Sequence, residues 1–156
     1  MSQPLNRLQQ RILNELPDIE RSVDRIQQAW QAFQETQHDL YVDSVALNLH
    51  GFYNGVERLF ENIAAIVDGE RPQQANWHQA LLTQMAAEIP GVRPAVISPG
   101  SYRYLDGYCR FRHVVRHSYS FQMDAEQLFP LVETLPIAFT QVNIDFLAFA
   151  QFLTDR

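Results

Sequence analysis

At 156 residues and 46% hydrophobic content, the chain can bury one good core and is too short for two, so a single domain spanning 1–156 is expected. The lone Cys109 excludes an intramolecular disulfide, the leading segment alternates apolar residues with Arg, Glu and Gln where an export signal would be continuously apolar, and no run reaches the roughly 18 uninterrupted apolar residues of a membrane span. A cytoplasmic protein with no membrane partner is expected. A formal charge of −6 argues against a general nucleic-acid coat, yet residues 91–122 carry +4 (Arg93, Arg103, Arg110, Arg112 and Arg116 against Asp106) and the remainder −10.

From Leu5 to Phe33 apolar residues recur every three or four positions, the period of a helix, and Pro17 predicts a kink or break within it. A second stripe, Val42, Val45, Leu49, Phe52, Val56, Phe60, Ile63 and Val67, predicts a helix from Leu40 to Asp68 that ends at Gly69. Gly51 and Gly55 on it are expected to allow close helix packing, and His50 to be a hydrogen-bonded interior or interface histidine. Residues 69–76 read as a connection. Asn76 is expected to cap a short helix carrying Trp77, Leu81, Leu82 and Met85 and ending at Pro90-Gly91, with His78 exposed on it. Three prolines and two glycines between Pro90 and Gly100 predict an extended crossover.

From Ser101, the spacing of Tyr104, Tyr108, Phe111 and Val115 predicts a helix with an Arg/His cluster at its C-terminal end. Asp124 and Gln127 form a capping-box pattern that opens a last helix, whose stripe from Leu128 to Leu153 contains Pro130 and Pro136 and predicts a bend. No strand set or repeat is visible. The fold class expected is all-α, an antiparallel bundle of four or five helices.

The cluster reads Arg112-His113-Val114-Val115-Arg116-His117-Ser118-Tyr119. Cleavage of RNA without a metal needs the 2'-hydroxyl deprotonated, the pentavalent phosphorane stabilised and the leaving 5'-oxygen protonated. Arginine suits the charge on the phosphate and histidine the proton transfers. Residues five apart on an ideal helix lie about 140° apart around its axis, so Arg112 and His117 do not converge unless the helix frays or a second copy completes the site. Other readings stay open. His113 and His117, one turn apart, have the HxxxH spacing of a metal pair, but Val114 stands where a metalloprotease carries Glu and no third ligand adjoins. Cys109 among apolar neighbours reads as a buried filler more than a nucleophile. Arg and His at a helix C-terminus also stabilise the macrodipole with no catalysis at all. Tyr102, Tyr104, Tyr108, Phe111 and Phe121 interleave with arginines and could stack bases, although Tyr104, Tyr108 and Phe111 read as core, leaving Tyr102 and Tyr119 as candidate RNA contacts. Glu57 and Asn54, one turn apart, are placed to orient the cluster from a neighbouring helix.

The Arg-x4-His-x-Tyr pattern of Arg112, His117 and Tyr119, with polar His113 after the arginine and a late position between two helices, resembles the motif of HEPN ribonucleases in the form found in HepT-like toxins. The layout of most of the chain is similar, and Phe52-Tyr53-Asn54, Glu57 and Trp77-His78 add softer similarity. The resemblance implies a homodimer with the two motifs facing each other and endonucleolytic cleavage of cellular RNA without a cofactor or metal. Arg112, His117 and His113 would carry the chemistry and Arg116 and Arg110 would bind RNA phosphate. It further implies a minimal nucleotidyltransferase antitoxin as partner, silencing the toxin by transfer of AMP to Tyr119. A helical adaptor of such a nucleotidyltransferase, without nuclease activity, is the alternative.

Overall fold

The computed structural model describes residues 2–117, 119 and 123–156. Among the described residues there are five α-helices: α1 (Gln3–Thr36), α2 (Leu40–Ile63), α3 (Trp77–Ala86), α4 (Pro99–Arg116) and α5 (Ala125–Thr154). Among the described residues the only strand-like pairing is an isolated bridge between Ile89 and Arg93.

The order of contacts makes the bundle antiparallel. Arg11 on α1 bonds Asn62 on α2, while Ile19 lies against Gly55. Gln9 reaches the Ala150 carbonyl on α5, whereas Trp30, further along α1, meets Phe129 near the start of α5. Phe52 on α2 contacts Tyr108 on α4, and Tyr108 in turn donates to the Leu131 carbonyl on α5 (2.7 Å). Ascending positions on α1 thus meet descending positions on both α2 and α5, as expected for an antiparallel all-α bundle.

Helix α1 is unbroken at Pro17. A proline inside a helix removes one donor and costs about 3 kcal/mol. Here the stripe Leu8, Ile12, Leu16, Ile19, Val23, Ile26 and Ala29 is buried on both sides of it, so breaking the helix would expose half of that stripe. Helix α2 starts at Leu40 as expected, then widens into a π turn (Ala64–Asp68) closed by Gly69 at φ 74. Gly55 allows the close approach expected of it, since a Cβ there would meet Ile19 at 3.0 Å; Gly51 does not, having open space beside it.

Helix α3 stops at Ala86, short of Pro90, because residues 89–93 fold into their own turn, with Gly91 at φ 78 and reciprocal Ile89 and Arg93 backbone bonds of 3.0 Å. Asn76 occupies the N-cap position, but its side chain makes no capping bond. Helix α4 begins at Pro99, ahead of the expected Ser101, with the Ser98 hydroxyl accepting from the Ser101 amide. Asp145 of α5 accepts from the Ser98 amide and from the Ser98 and Ser101 hydroxyls, so a polar residue that interrupts the last stripe fastens the start of the motif helix. The Asp124–Gln127 capping box is present, and Pro130 and Pro136 both stay inside α5. By length and composition α5 could cross a membrane, yet its stripe of Leu128, Val132, Leu135, Phe139, Val142, Phe146, Phe149 and Leu153 is buried in the bundle core.

Candidate functional site

Two clusters form around the motif helix, one facing inward and one outward. Arg112 points in, with its side chain 16% exposed. Its Nε donates to Asn54 Oδ1 (3.2 Å) and lies 3.8 Å from Glu57 Oε1, while Nη1 lies 3.1 Å from His78 Nε2. A guanidinium only donates, so His78 Nε2 is the acceptor; the proton then sits on Nδ1, which donates to Glu57 Oε2 at 2.8 Å. Of the two residues expected to orient the cluster, Asn54 bonds the motif arginine directly, whereas Glu57 is linked to it by hydrogen bonds only through His78. His78, expected to be exposed, is instead a member of the cluster, because α3 packs across α2 and α4 and turns the first residues of its helix toward Glu57. Burial pushes the Glu57 carboxyl above its ordinary 4.5, with the His78 hydrogen bond and the Arg112 charge pulling the other way.

His50 lies half-buried one turn before Asn54. The hydrogen bond expected of it is absent: its Nδ1 is buried without a partner among the described residues. Burial, followed by the charges of Arg112 and Arg116, pushes its imidazole below the ordinary 6.5. The folded chain therefore takes up this proton at lower pH than the unfolded chain, so stability that is complete above pH 6.5 is lost as pH falls below it. The melting midpoint of the wild type is expected to drop from about pH 6.5 downward more steeply than that of His50→Gln. Parallel curves for the two proteins would refute this.

The outward cluster consists of His113 and His117, both exposed, with ring centroids 4.3 Å apart. His117 is the C-cap of α4, and His113 and Arg116 lie in its last turn, where positive charge meets the helix dipole favourably. Among the described contacts none joins Arg112 to His117, in keeping with the angular separation expected from their spacing. Arg116 is exposed. Arg110 pairs with Asp106 at 2.8 Å, and Asp106 also accepts from Gln79, so this arginine reaches any phosphate only in competition with a carboxylate. Arg93, counted with the basic segment, is buried and bound to both oxygens of Asp68.

Tyr119, just past the helix, is 71% exposed, and Val114 is 43% exposed. Tyr108 and Phe111 are core and Tyr104 packs against it, as expected, while Tyr102 is half-buried with its hydroxyl 3.4 Å from that of Thr83. Ser118 and Phe121 of the sequence reading lie outside the described residues. Cys109 is buried and its thiol is pushed up by burial, which suits a filler and not a nucleophile. Among the described residues no group of three or more His, Cys, Asp or Glu side chains is arranged to hold a metal ion.

A protein-family model described as HepT-like protein matches residues 44–153. Searches of curated proteins and of solved structures returned no match. The matched stretch begins inside α2, ends inside α5 and takes in both clusters as well as the eight residues of the motif. With that match covering well over half of its length and an antiparallel helical bundle presenting the motif, the chain belongs to the HepT-like family of the HEPN superfamily.

Proposed function

We propose that the chain is a metal-independent endoribonuclease toxin that cuts cellular RNA in the cytoplasm, acting as one helical domain that pairs with a second copy. The observation that carries this reading is the division of the motif. A guanidinium held in place by Asn54 and His78 sits on one side of α4, and imidazoles able to move protons sit on the other. In the proposed reaction the 2'-oxygen attacks phosphorus as His117 takes its proton. Arg112 stabilises the charge on the non-bridging oxygens, and the 5'-oxygen departs with a proton supplied by a histidine, leaving a 2',3'-cyclic phosphate. His113 supports His117, and Arg116, with Arg110 at the margin, adds attraction for neighbouring phosphates. Because Arg112 and His117 face different ways, one chain supplies half of each site and the partner motif supplies the rest.

Regulation by a minimal nucleotidyltransferase belongs to the same proposal. An AMP group on the Tyr119 hydroxyl would bring phosphate and a base beside His117 and compete with RNA for the cationic side chains. Purified protein is expected to cleave RNA in excess EDTA, with His117→Ala lowering the rate by about 100- to 10,000-fold while the helical circular dichroism stays unchanged. Cleavage by the variant at the wild-type rate would sink the proposal. A second reading, a non-catalytic adaptor of the nucleotidyltransferase, is favoured by the engagement of Arg112 with groups of its own chain. Wild-type protein that neither cleaves RNA nor arrests growth in the absence of the nucleotidyltransferase would select it.

A further inference from the structure

Glu57 is a buried carboxylate beside a guanidinium, with its side chain 5% exposed, and yet the two do not form the close two-point pair that such groups favour. The nearest separation is 3.8 Å, beyond hydrogen-bonding reach. The imidazole of His78 bridges them through the other carboxylate oxygen and Nη1, the second point a two-point pair would use. It takes one Glu57 oxygen through Nδ1–H (2.8 Å) and offers its Nε2 lone pair to Arg112 (3.1 Å), and the Trp77 ring, 3.6 Å away between centroids, stacks on it. Arg112 is thus oriented by two neutral acceptors, the imidazole nitrogen and the Asn54 carboxamide oxygen, and the carboxylate stays 3.8 Å from Nε without a direct hydrogen bond.

We propose that His78 is a positioning residue for Arg112, a spacer that keeps Glu57 from capping the guanidinium so that its charge is left to meet a substrate phosphate. The assignment rests on the ribonuclease reading above. Removing the ring leaves a gap into which Glu57 and Arg112 close, and their direct pair then competes with RNA. The chemistry of the spacer is one donor and one acceptor on a rigid frame, which a glutamine carboxamide reproduces without being able to titrate.

The test is steady-state cleavage of an RNA oligonucleotide in EDTA by the full chain. His78→Ala is expected to lower kcat/KM by about 100-fold, the scale of a misplaced catalytic group, with KM raised as well as kcat lowered. His78→Gln is expected to stay within about threefold of wild type with the same pH–rate profile. The distinctive outcome is the double variant: adding Glu57→Gln to His78→Ala removes the competing carboxylate and is expected to restore activity by about tenfold. Losses that merely add in the double variant would make His78 a packing residue and overturn the proposal. A glutamine variant missing one limb of the pH profile would make it a proton-transfer group and overturn it equally. If His78→Ala does not fold, full activity of His78→Gln together with unchanged activity of His78→Leu overturns it, and loss in His78→Leu alone supports it. Failure of the parent reading looks different, because the wild type itself would then leave the oligonucleotide uncut.

Discussion

Arg112→Ala is expected to slow RNA cleavage by about 100- to 1,000-fold, the usual consequence of removing one preorganised donor to an oxyanion. The same change should cost stability. Glu57 is buried and its carboxyl is already shifted upward by burial; without Arg112 it keeps the His78 bond but loses the nearby positive charge that offsets its desolvation. A loss of about 1–3 kcal/mol follows from leaving such a group under-compensated. The two effects can be separated. In Arg112→Ala/Glu57→Gln the uncompensated charge is gone, so stability should return toward wild type while cleavage remains lost. Denaturation curves and cleavage rates on the same preparations decide the matter: a single variant that cuts RNA normally, or a double variant no more stable than the single, would contradict the account.

The largest effect on folding is expected at Arg93. Its side chain is fully buried, and it binds Asp68 at 2.6 and 2.8 Å while donating to the carbonyls of Gln84, Ala87 and Pro94. One guanidinium thereby ties the end of the π turn to α3 and to the turn that follows it. Arg93→Ala should cost about 3–5 kcal/mol, the range for removing one partner of a buried pair, and lower the melting temperature by roughly 10 °C in a chain of this size. Replacing Asp68 together with Arg93 removes the stranded carboxylate but not the three unsatisfied carbonyls, so only part of the loss should return. A single-variant change below about 1 kcal/mol, the range of exposed pairs, would show that the pair contributes like a surface contact.

Arg93 also marks where reading the sequence fell short. A charge count over residues 91–122 sees five arginines, and it cannot see that one of them is spent inside the fold. The helices were legible because their apolar stripes have the right period, and the Asp124 capping box because its signal is local. Pro17 misled in part because its penalty is local while the compensating burial is spread along the whole of α1. Ser98-Pro99 is the cap-and-first-turn signature that would have started α4 two residues earlier. At the site, Arg112, His113 and His117 were legible as a motif, and Asn54 and Glu57 as polar positions one turn apart beside an apolar stripe. His78 was not, since its role depends on how α3 crosses α2, and Glu57 and His78 are 21 residues apart with nothing local linking them.

Helix α2 carries two loads on two faces. Gly55 and Asn62 meet α1, which lies ahead of the family-matched stretch, and Asn54 and Glu57 meet the motif arginine. Substitutions on α1 are expected to act first through the Gly55 and Asn62 face. If the proposed function holds, changes on the leading helix should register in stability and changes on the other side of α2 in cleavage, so the two loads can be told apart by which measurement moves.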